Sequence, residues 1–101
     1  MAKPRITPLR ESDWEVLRCV RTELELARVI AARLDGVEVE EAIESGRSVE
    51  VATALRRLAG HGLVIRDYDP VGLVRCVYSI SDEGVAALRV RAFERLTMQA
   101  A

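Results

Sequence analysis

The sequence predicts one domain of mostly helical α+β fold, with four helices and a small β-hairpin. The chain has 101 residues, of which half are apolar and 31% are charged, and this length suits a single hydrophobic core. Apolar residues recur every three or four positions along most of the chain, which is the period of a helix. After Gly62 they alternate with polar residues instead, which is the period of a strand.

A basic arm over residues 1–11 precedes the first helix. It contains Lys3 and Arg5, and its prolines prevent a regular helix from starting before residue 9. The arm therefore adds positive charge to a chain whose formal net charge is −1.

One long helix is predicted over residues 12–34, and Asp35 and Gly36 are expected to end it. Ser12 and Glu15 have the spacing of a capping box, and the apolar residues after them form one stripe: Leu17, Val20, Leu24, Ala27, Ala31 and Leu34. A second capping box at Thr22 and Glu25 leaves a break near Thr22 open. Because the stripe continues in register past that point, the unbroken helix is preferred.

A helix-turn-helix is predicted over residues 37–60. Its short first helix has an acidic face of four glutamates, Ser45 and Gly46 form the turn, and Ser48 is expected to cap the second helix. Two strands then form a hairpin over residues 63–80, with turn residues between them. A final helix over residues 82–98 begins after Ser81, which is a suitable cap.

Two segments resemble winged helix-turn-helix regulators of the MarR, PadR and ArsR kind. The first is Ala54-Leu55-Arg56-Arg57-Leu58-Ala59-Gly60-His61-Gly62-Leu63-Val64, which is similar to the end of the recognition helix and the first wing strand. The second is Val77-Tyr78-Ser79-Ile80-Ser81-Asp82-Glu83-Gly84, which is similar to the second wing strand and the start of the next helix. The resemblance implies a transcription regulator that binds double-stranded DNA as a dimer.

The residues around the second helix of the helix-turn-helix are consistent with DNA contact. Small, hydroxyl and arginine side chains face away from its apolar side, and residues 46–76 contain five arginines and three acids. The predicted DNA-binding residues are Arg47, Ser48, Val49, Ala52, Thr53, Arg56, Arg57, His61, Arg66, Arg75, Lys3 and Arg5.

Apolar stripes on the first and last helices predict a homodimer, because so small a domain has little else to cover them. The expected interface residues are Leu17, Val20, Leu24, Ala27, Leu88, Ala92, Phe93 and Leu96. A protein-interaction module without DNA binding is the alternative, and the acidic short helix favours it.

Other functions find no support in the residue pattern. The single histidine, His61, and the two cysteines, Cys19 and Cys76, lack the spacing of a metal site or a disulfide framework. No catalytic constellation or phosphate-binding glycine loop is present, so no enzyme activity, cofactor or small-molecule effector is expected. No apolar run is long enough to cross a bilayer and no signal peptide is recognisable, so a cytoplasmic protein is expected.

Overall fold

A computed structural model describes residues 8–68 and 76–99. These residues form five helices and three strands, which confirms a mostly helical α+β fold. In chain order the elements are α1 (Glu11–Cys19), β1 (Glu25–Leu26), α2 (Ala27–Asp35), α3 (Val39–Glu44), α4 (Arg47–Gly60), β2 (Val64–Tyr68), β3 (Cys76–Ile80) and α5 (Asp82–Gln99).

The prediction of a single helix over residues 12–34 is wrong. The alternative that the capping box at Thr22 and Glu25 had suggested, a break near Thr22, is present. Helix α1 ends at Cys19, the chain is extended at Val20, and α2 begins only at Ala27. The reason is tertiary: the segment between them is taken up by β1, which pairs with β3. The Ile80 N–H also donates to the Arg21 carbonyl at 2.8 Å. The stripe residues Leu17 of α1 and Ala31 of α2 are both buried in the core, whereas Leu24 in the break is 50% exposed.

Arg33 stabilises this break from α2. Its guanidinium donates to the Cys19 carbonyl at 2.7 Å, which satisfies a carbonyl at the end of α1, and it also forms an ion pair with Glu25. Hydrogen bonding to Glu25, opposed by burial, raises the pKa of Arg33. Arg33, which the helical pattern of the sequence places on a solvent-facing side, therefore connects α1, β1 and α2.

Two predicted caps are wrong and two helix-end signals are confirmed. The N-cap of α1 is Arg10, whose N–H donates to the Asp13 carboxylate at 3.0 Å, and Ser12 lies inside the helix. Ser48 likewise lies inside α4, because Gly46 adopts the left-handed conformation (φ +78°) and the helix starts one residue later. Gly36 ends α2 with φ +66° as expected, and the Ser81 hydroxyl accepts the Gly84 N–H at 3.0 Å.

The sheet has three antiparallel strands in the order β1-β3-β2, one more than the sequence predicts. The hairpin strands pair from Val64 with Ile80 to Tyr68 with Cys76. The expected hairpin turn and the start of its second strand, residues 69–75, lie outside the described residues. Strand β1 was missed because it has only two residues and depends on a partner about fifty residues away.

The core lies between α1, α2, α4 and the sheet. Helix α4 is its centre and packs most extensively against α2 and α1. The largest fully buried side chains are Leu17, Ile30, Leu55, Leu58, Val51 and Asp13. Helix α5 packs on this core through Leu88, whereas its side chains from Ala92 to Met98 are exposed. The fold thus leaves one side of α4 and the second half of α5 uncovered by any described residue.

Candidate nucleic-acid interface

Helix α4 presents a side that the described chain leaves open. Its buried side is apolar, and on the opposite side Thr53 and Arg56 are exposed, while Val49 is 66% exposed. Ser48 and Ala52 are half-buried beside them. Small side chains on an exposed helix allow close approach of another molecule to the backbone. The outward side that the sequence predicts for DNA contact is therefore accessible.

A groove of about 550 Å³ runs along α4 on the side of the β-hairpin, and we call it the hairpin-side groove. Its walls are α4, the end of β1 with the first turn of α2, Ile43 of α3, and Arg66, Cys76 and Tyr78 of the paired strands β2 and β3. Three arginines line it, Arg28 from α2, Arg56 from α4 and Arg66 from β2, and no carboxylate of residues 8–68 or 76–99 does. The groove is therefore a concentration of positive charge in a chain with no net positive charge.

None of these three arginines forms an ion pair within residues 8–68 and 76–99. The Arg56 Nε lies 3.5 Å from the Ala52 carbonyl of its own helix. The Arg66 Nε donates to the Cys76 Sγ at 3.2 Å, and this contact raises the pKa of Arg66. The three guanidiniums thus keep most of their hydrogen-bond donors available for an anion.

The opposite side of α4 has arginines too, but acids neutralise them. The Arg57 guanidinium donates to Asp13 at 2.8 and 3.1 Å, and the Asp13 side chain is fully buried. Arg47 forms ion pairs with Asp35 at 3.1 Å and with Glu50 at 2.9 Å. Arg57 thus has a structural role and Arg47 is already paired with acids, while the DNA contacts predicted for both residues stay predictions.

The pKa of Asp13 reflects this pairing. Burial alone would raise it, but the hydrogen bonds and charge of Arg57 and the Arg10 N–H more than compensate, so the pKa of this carboxyl lies below its usual value. Asp13 therefore remains ionised at neutral pH in the protein interior. It joins the first turn of α1 to the last turns of α4, which fixes the helix that carries the exposed side.

The other predicted DNA-binding residues divide into two groups. Lys3, Arg5 and Arg75 lie outside the described residues. His61 directly follows α4 as its C-cap and is half-buried. Arg28 was missed, because the predicted long helix placed it mid-helix. The capping box at Thr22 and Glu25 would not have found it, since a helix capped by Thr22 begins about four residues before α2 does.

The predicted dimer residues are also divided by the structure. Leu17 and Val20 belong to the core, with exposures of 0% and 6%, so their assignment to a dimer interface is wrong. They are buried because α1 packs against α2 and α4 once the long helix breaks. Leu24 is 50% exposed, and Ala27 lies in the hairpin-side groove.

Helix α5 fits the predicted interface better. Leu88 is half-buried against the core, whereas Ala92 is exposed and Phe93 and Leu96 have exposures of 71% and 66%. Val90 and Met98 of the same helix are also more than half exposed.

Within residues 8–68 and 76–99, no group of three or more His, Cys, Asp or Glu side chains is placed to hold a metal ion. Cys19 and Cys76 are free thiols, and burial raises the pKa of Cys19. Among the helices that the structure describes, none combines the length and the apolar character needed to cross a membrane.

Comparison of this chain with protein-family models, with curated proteins and with solved structures gives no match. Its function is therefore inferred from the surface around α4, where an open helix side adjoins a groove that three arginines and none of the described carboxylates line.

Proposed function

We propose that this chain is a winged-helix regulator that binds double-stranded DNA through α4. Helix α4 follows a tight turn and is followed directly by the β2–β3 hairpin, which is the element order of a helix-turn-helix with a wing. Strand β1 joins the same sheet by pairing with Val77 and Tyr78 of β3. In this arrangement the hairpin lies beside the duplex when α4 enters the major groove.

The observation that carries the proposal is the hairpin-side groove next to the open side of α4. Arg28, Arg56 and Arg66 line it with no carboxylate from the part of the chain that the structure describes, while the arginines on the other side of α4 are paired with acids. DNA phosphates supply the negative charge that these three guanidiniums lack within the described chain. We therefore place one phosphate backbone along the hairpin-side groove.

The open side of α4 has the dimensions of a major-groove reader. The major groove of B-form DNA is about 12 Å wide and admits one helix. Val49, Ala52 and Thr53 are short enough to let the helix backbone approach the bases, and apolar contacts of Val49 and Ala52 suit thymine methyl groups. Arg56 lies on the same side, where it reaches either a phosphate or a guanine edge.

The exposed second half of α5 supports a homodimer as the binding unit. Phe93 and Leu96 project from this helix with most of their surface in water, and a second copy of the chain would cover them. A two-fold dimer would place two α4 helices about 34 Å apart, on consecutive turns of one face of the duplex.

Fluorescence anisotropy of a labelled random-sequence duplex at several salt concentrations tests this function. We expect Arg28→Ala, Arg56→Ala and Arg66→Ala each to weaken binding and to lower the slope of log affinity against log salt by about one. Arg89→Ala is the matched control, because Arg89 is an exposed arginine of α5 without an ion pair in the described residues. Arg57 is avoided, since its loss would confound DNA binding with stability.

A protein-interaction module is the second candidate. It is favoured by Glu38, Glu40, Glu41 and Glu44, which are all exposed on or beside α3, next to the proposed duplex path. Undetectable binding at low salt by a folded chain, or equal losses for Arg56→Ala and Arg89→Ala, would reject DNA binding and support this alternative.

A further inference from the structure

We propose that the first turn of α1 is part of an ionic latch, which holds the second half of α5 against α1 and releases it as salt is added. The latch consists of four side chains: Glu11, Trp14, Arg91 and Arg95. Opening of the latch does not depend on the proposed function. Its consequence, a dimer in which the distance between the two α4 helices is no longer fixed, rests on that function.

The latch joins one turn of α1 to one side of α5. The two carboxylate oxygens of Glu11 accept hydrogen bonds from different guanidiniums, one from Arg91 and one from Arg95. Arg91 and Arg95 are four residues apart, so both lie on the side of α5 that faces α1. The Arg91 guanidinium carbon also lies 4.8 Å from the centre of the Trp14 ring, within the distance of about 6 Å at which an aromatic face attracts a cation.

The second half of α5 has little besides the latch to hold it in place. Leu88 is the last apolar residue of α5 that packs against the core, and the larger apolar side chains beyond it are all more than half exposed: Val90, Phe93, Leu96 and Met98. The ion pairs and side-chain hydrogen bonds that connect residues 89–98 to another described element all end on Glu11. The position of this half of α5 therefore depends on charge more than on burial.

The latch is open to solvent, and this makes it sensitive to salt. Glu11 and Arg95 are about half exposed. Salt screens the attraction between exposed charges, since the Debye length falls from about 10 Å at 0.1 M to about 3 Å at 1 M ionic strength. Asp13, two residues after Glu11, is fully buried in its ion pair with Arg57, and buried pairs are screened much less. We therefore expect salt to release α5 from α1 while α1 stays joined to α4.

Release of α5 would change the direction of its exposed apolar side. The start of α5 is fixed where Gly84 lies against the Leu63 carbonyl, and about 21 Å of helix separates Gly84 from Met98. A tilt of about 15° about this pivot would move the far end by about 5 Å. Phe93 lies about 200° of helical rotation from Arg91, so it points away from α1, where a second copy of the chain would contact it. A closed latch thus fixes the angle between the proposed dimer contact and α4.

Acrylamide quenching of Trp14 fluorescence measures the state of the latch, because Trp14 is the only tryptophan of the chain. Arg91 covers one face of the ring, and acrylamide is neutral, so salt affects the quenching mainly through the protein. We expect the quenching constant to rise about twofold between about 0.05 M and about 1 M sodium chloride, with an unchanged far-ultraviolet circular dichroism spectrum. Amide NMR in the same titration is expected to show larger shifts in residues 89–98 than in α4. A quenching constant that does not change with salt would overturn the proposal.

Two variants matched in charge test whether Glu11 is the centre of the latch. Glu11→Gln keeps the shape of the side chain but removes its charge, so at low salt we expect the quenching constant that the native chain reaches at high salt. Glu15→Gln removes one negative charge at an exposed position beside Trp14, where the described residues form no ion pair. It is expected to respond to salt as the native chain does. A Glu11→Gln chain with the native salt response would refute the latch.

The latch and the proposed function fail separately. If Glu11→Gln opens the latch but the native chain binds no duplex at low salt, the latch stands and DNA binding is rejected. If a duplex binds and both variants have the native quenching constant, DNA binding stands and the latch is rejected. If both hold, we expect Glu11→Gln to bind a duplex several-fold more weakly than Glu15→Gln, because a dimer of variable geometry engages two sites less well. Equal duplex binding by the two variants would reject the consequence for the dimer.

Discussion

Replacing Asp13 by Asn is expected to destabilise the fold strongly while leaving the surface of α4 chemically unchanged. The Asp13 side chain is fully buried and receives the Arg57 guanidinium at 2.8 and 3.1 Å and the Arg10 N–H at 3.0 Å. Asparagine keeps the shape and one acceptor for the helix cap but removes the negative charge. Arg57 would then lack its counter-charge at the junction of α1 and α4.

Breaking a buried ion pair by removing one partner typically costs 3–5 kcal/mol. The Arg57 side chain is 23% exposed, so its charge can be partly hydrated after the change, and we expect a loss near the lower end, about 3 kcal/mol. For a domain of about 100 residues this lowers the melting temperature by roughly 10–20 °C. It is also a large fraction of the 5–15 kcal/mol that stabilises a typical domain.

The pH dependence gives an independent check of the same ion pair. Since the folded pKa of Asp13 lies below its ordinary value of 3.8, its contribution to stability is fully present above that value. The contribution disappears as the pH falls through the folded pKa. The difference in unfolding free energy between the native chain and the Asp13→Asn variant is therefore expected to be constant from pH 5 to 8 and to shrink below about pH 4.

Urea unfolding followed by circular dichroism measures both quantities, and an unchanged denaturant slope would show that the unfolded reference state is comparable. Glu94→Gln is the control, because this exposed carboxylate of α5 has no ion pair in the described residues, and a change within about 0.5 kcal/mol is expected. Arg57→Met leaves Asp13 buried without a counter-charge, so its deficit should decrease as the pH is lowered. A loss below about 1 kcal/mol for Asp13→Asn at pH 7 would refute the reasoning.

Three further predictions concern helix α5 and the glycines. Phe93→Glu places a charge on its exposed apolar side and is expected to shift the chain to monomer in analytical ultracentrifugation with an unchanged melting curve; an unaltered mass distribution would exclude this side as the dimer contact. Gly84→Ala puts a methyl group against the Leu63 carbonyl oxygen, closer than van der Waals contact, and is expected to cost about 2 kcal/mol or more in urea unfolding. Gly60→Ala meets no described atom within 4 Å and is expected to be neutral or stabilising by about 0.5–1 kcal/mol. Ser81→Ala removes the hydroxyl that accepts the Gly84 N–H and is expected to cost about 1 kcal/mol, with an unchanged midpoint counting against the cap.

The helix period and the glycines were sufficient to predict α3, α4 and α5 to within about two residues, and the change of period after Gly62 was sufficient to predict two hairpin strands within residues 63–80. They also predicted which side of α4 is buried, because Val51, Leu55 and Leu58 repeat at helical spacing. The resemblance to winged-helix regulators stays a prediction, since it comes from the sequence and no comparison with known proteins bears on it.

The preferred interpretation of the sequence, one unbroken helix, missed the break between α1 and α2. An apolar stripe with helical period predicts which side of a segment is buried. The same stripe is compatible with one long helix and with two helices that each bury their apolar residues. The deciding interaction is the pairing of Glu25 and Leu26 with Tyr78 and Val77, which lie about fifty residues further along the chain. Backbone pairing over that separation leaves no local pattern.

The sequence by itself determined the helical content, the hairpin and the open side of α4, because these depend on the spacing of neighbouring side chains. Only the tertiary structure decided which arginines are available to a ligand. Arg56 and Arg57 are adjacent in the sequence, but about 100° of helical rotation turns one toward the open groove and the other toward buried Asp13, 44 residues away. The sequence gives the number and position of the charged residues, whereas the tertiary structure decides which arginine forms an ion pair with which acid.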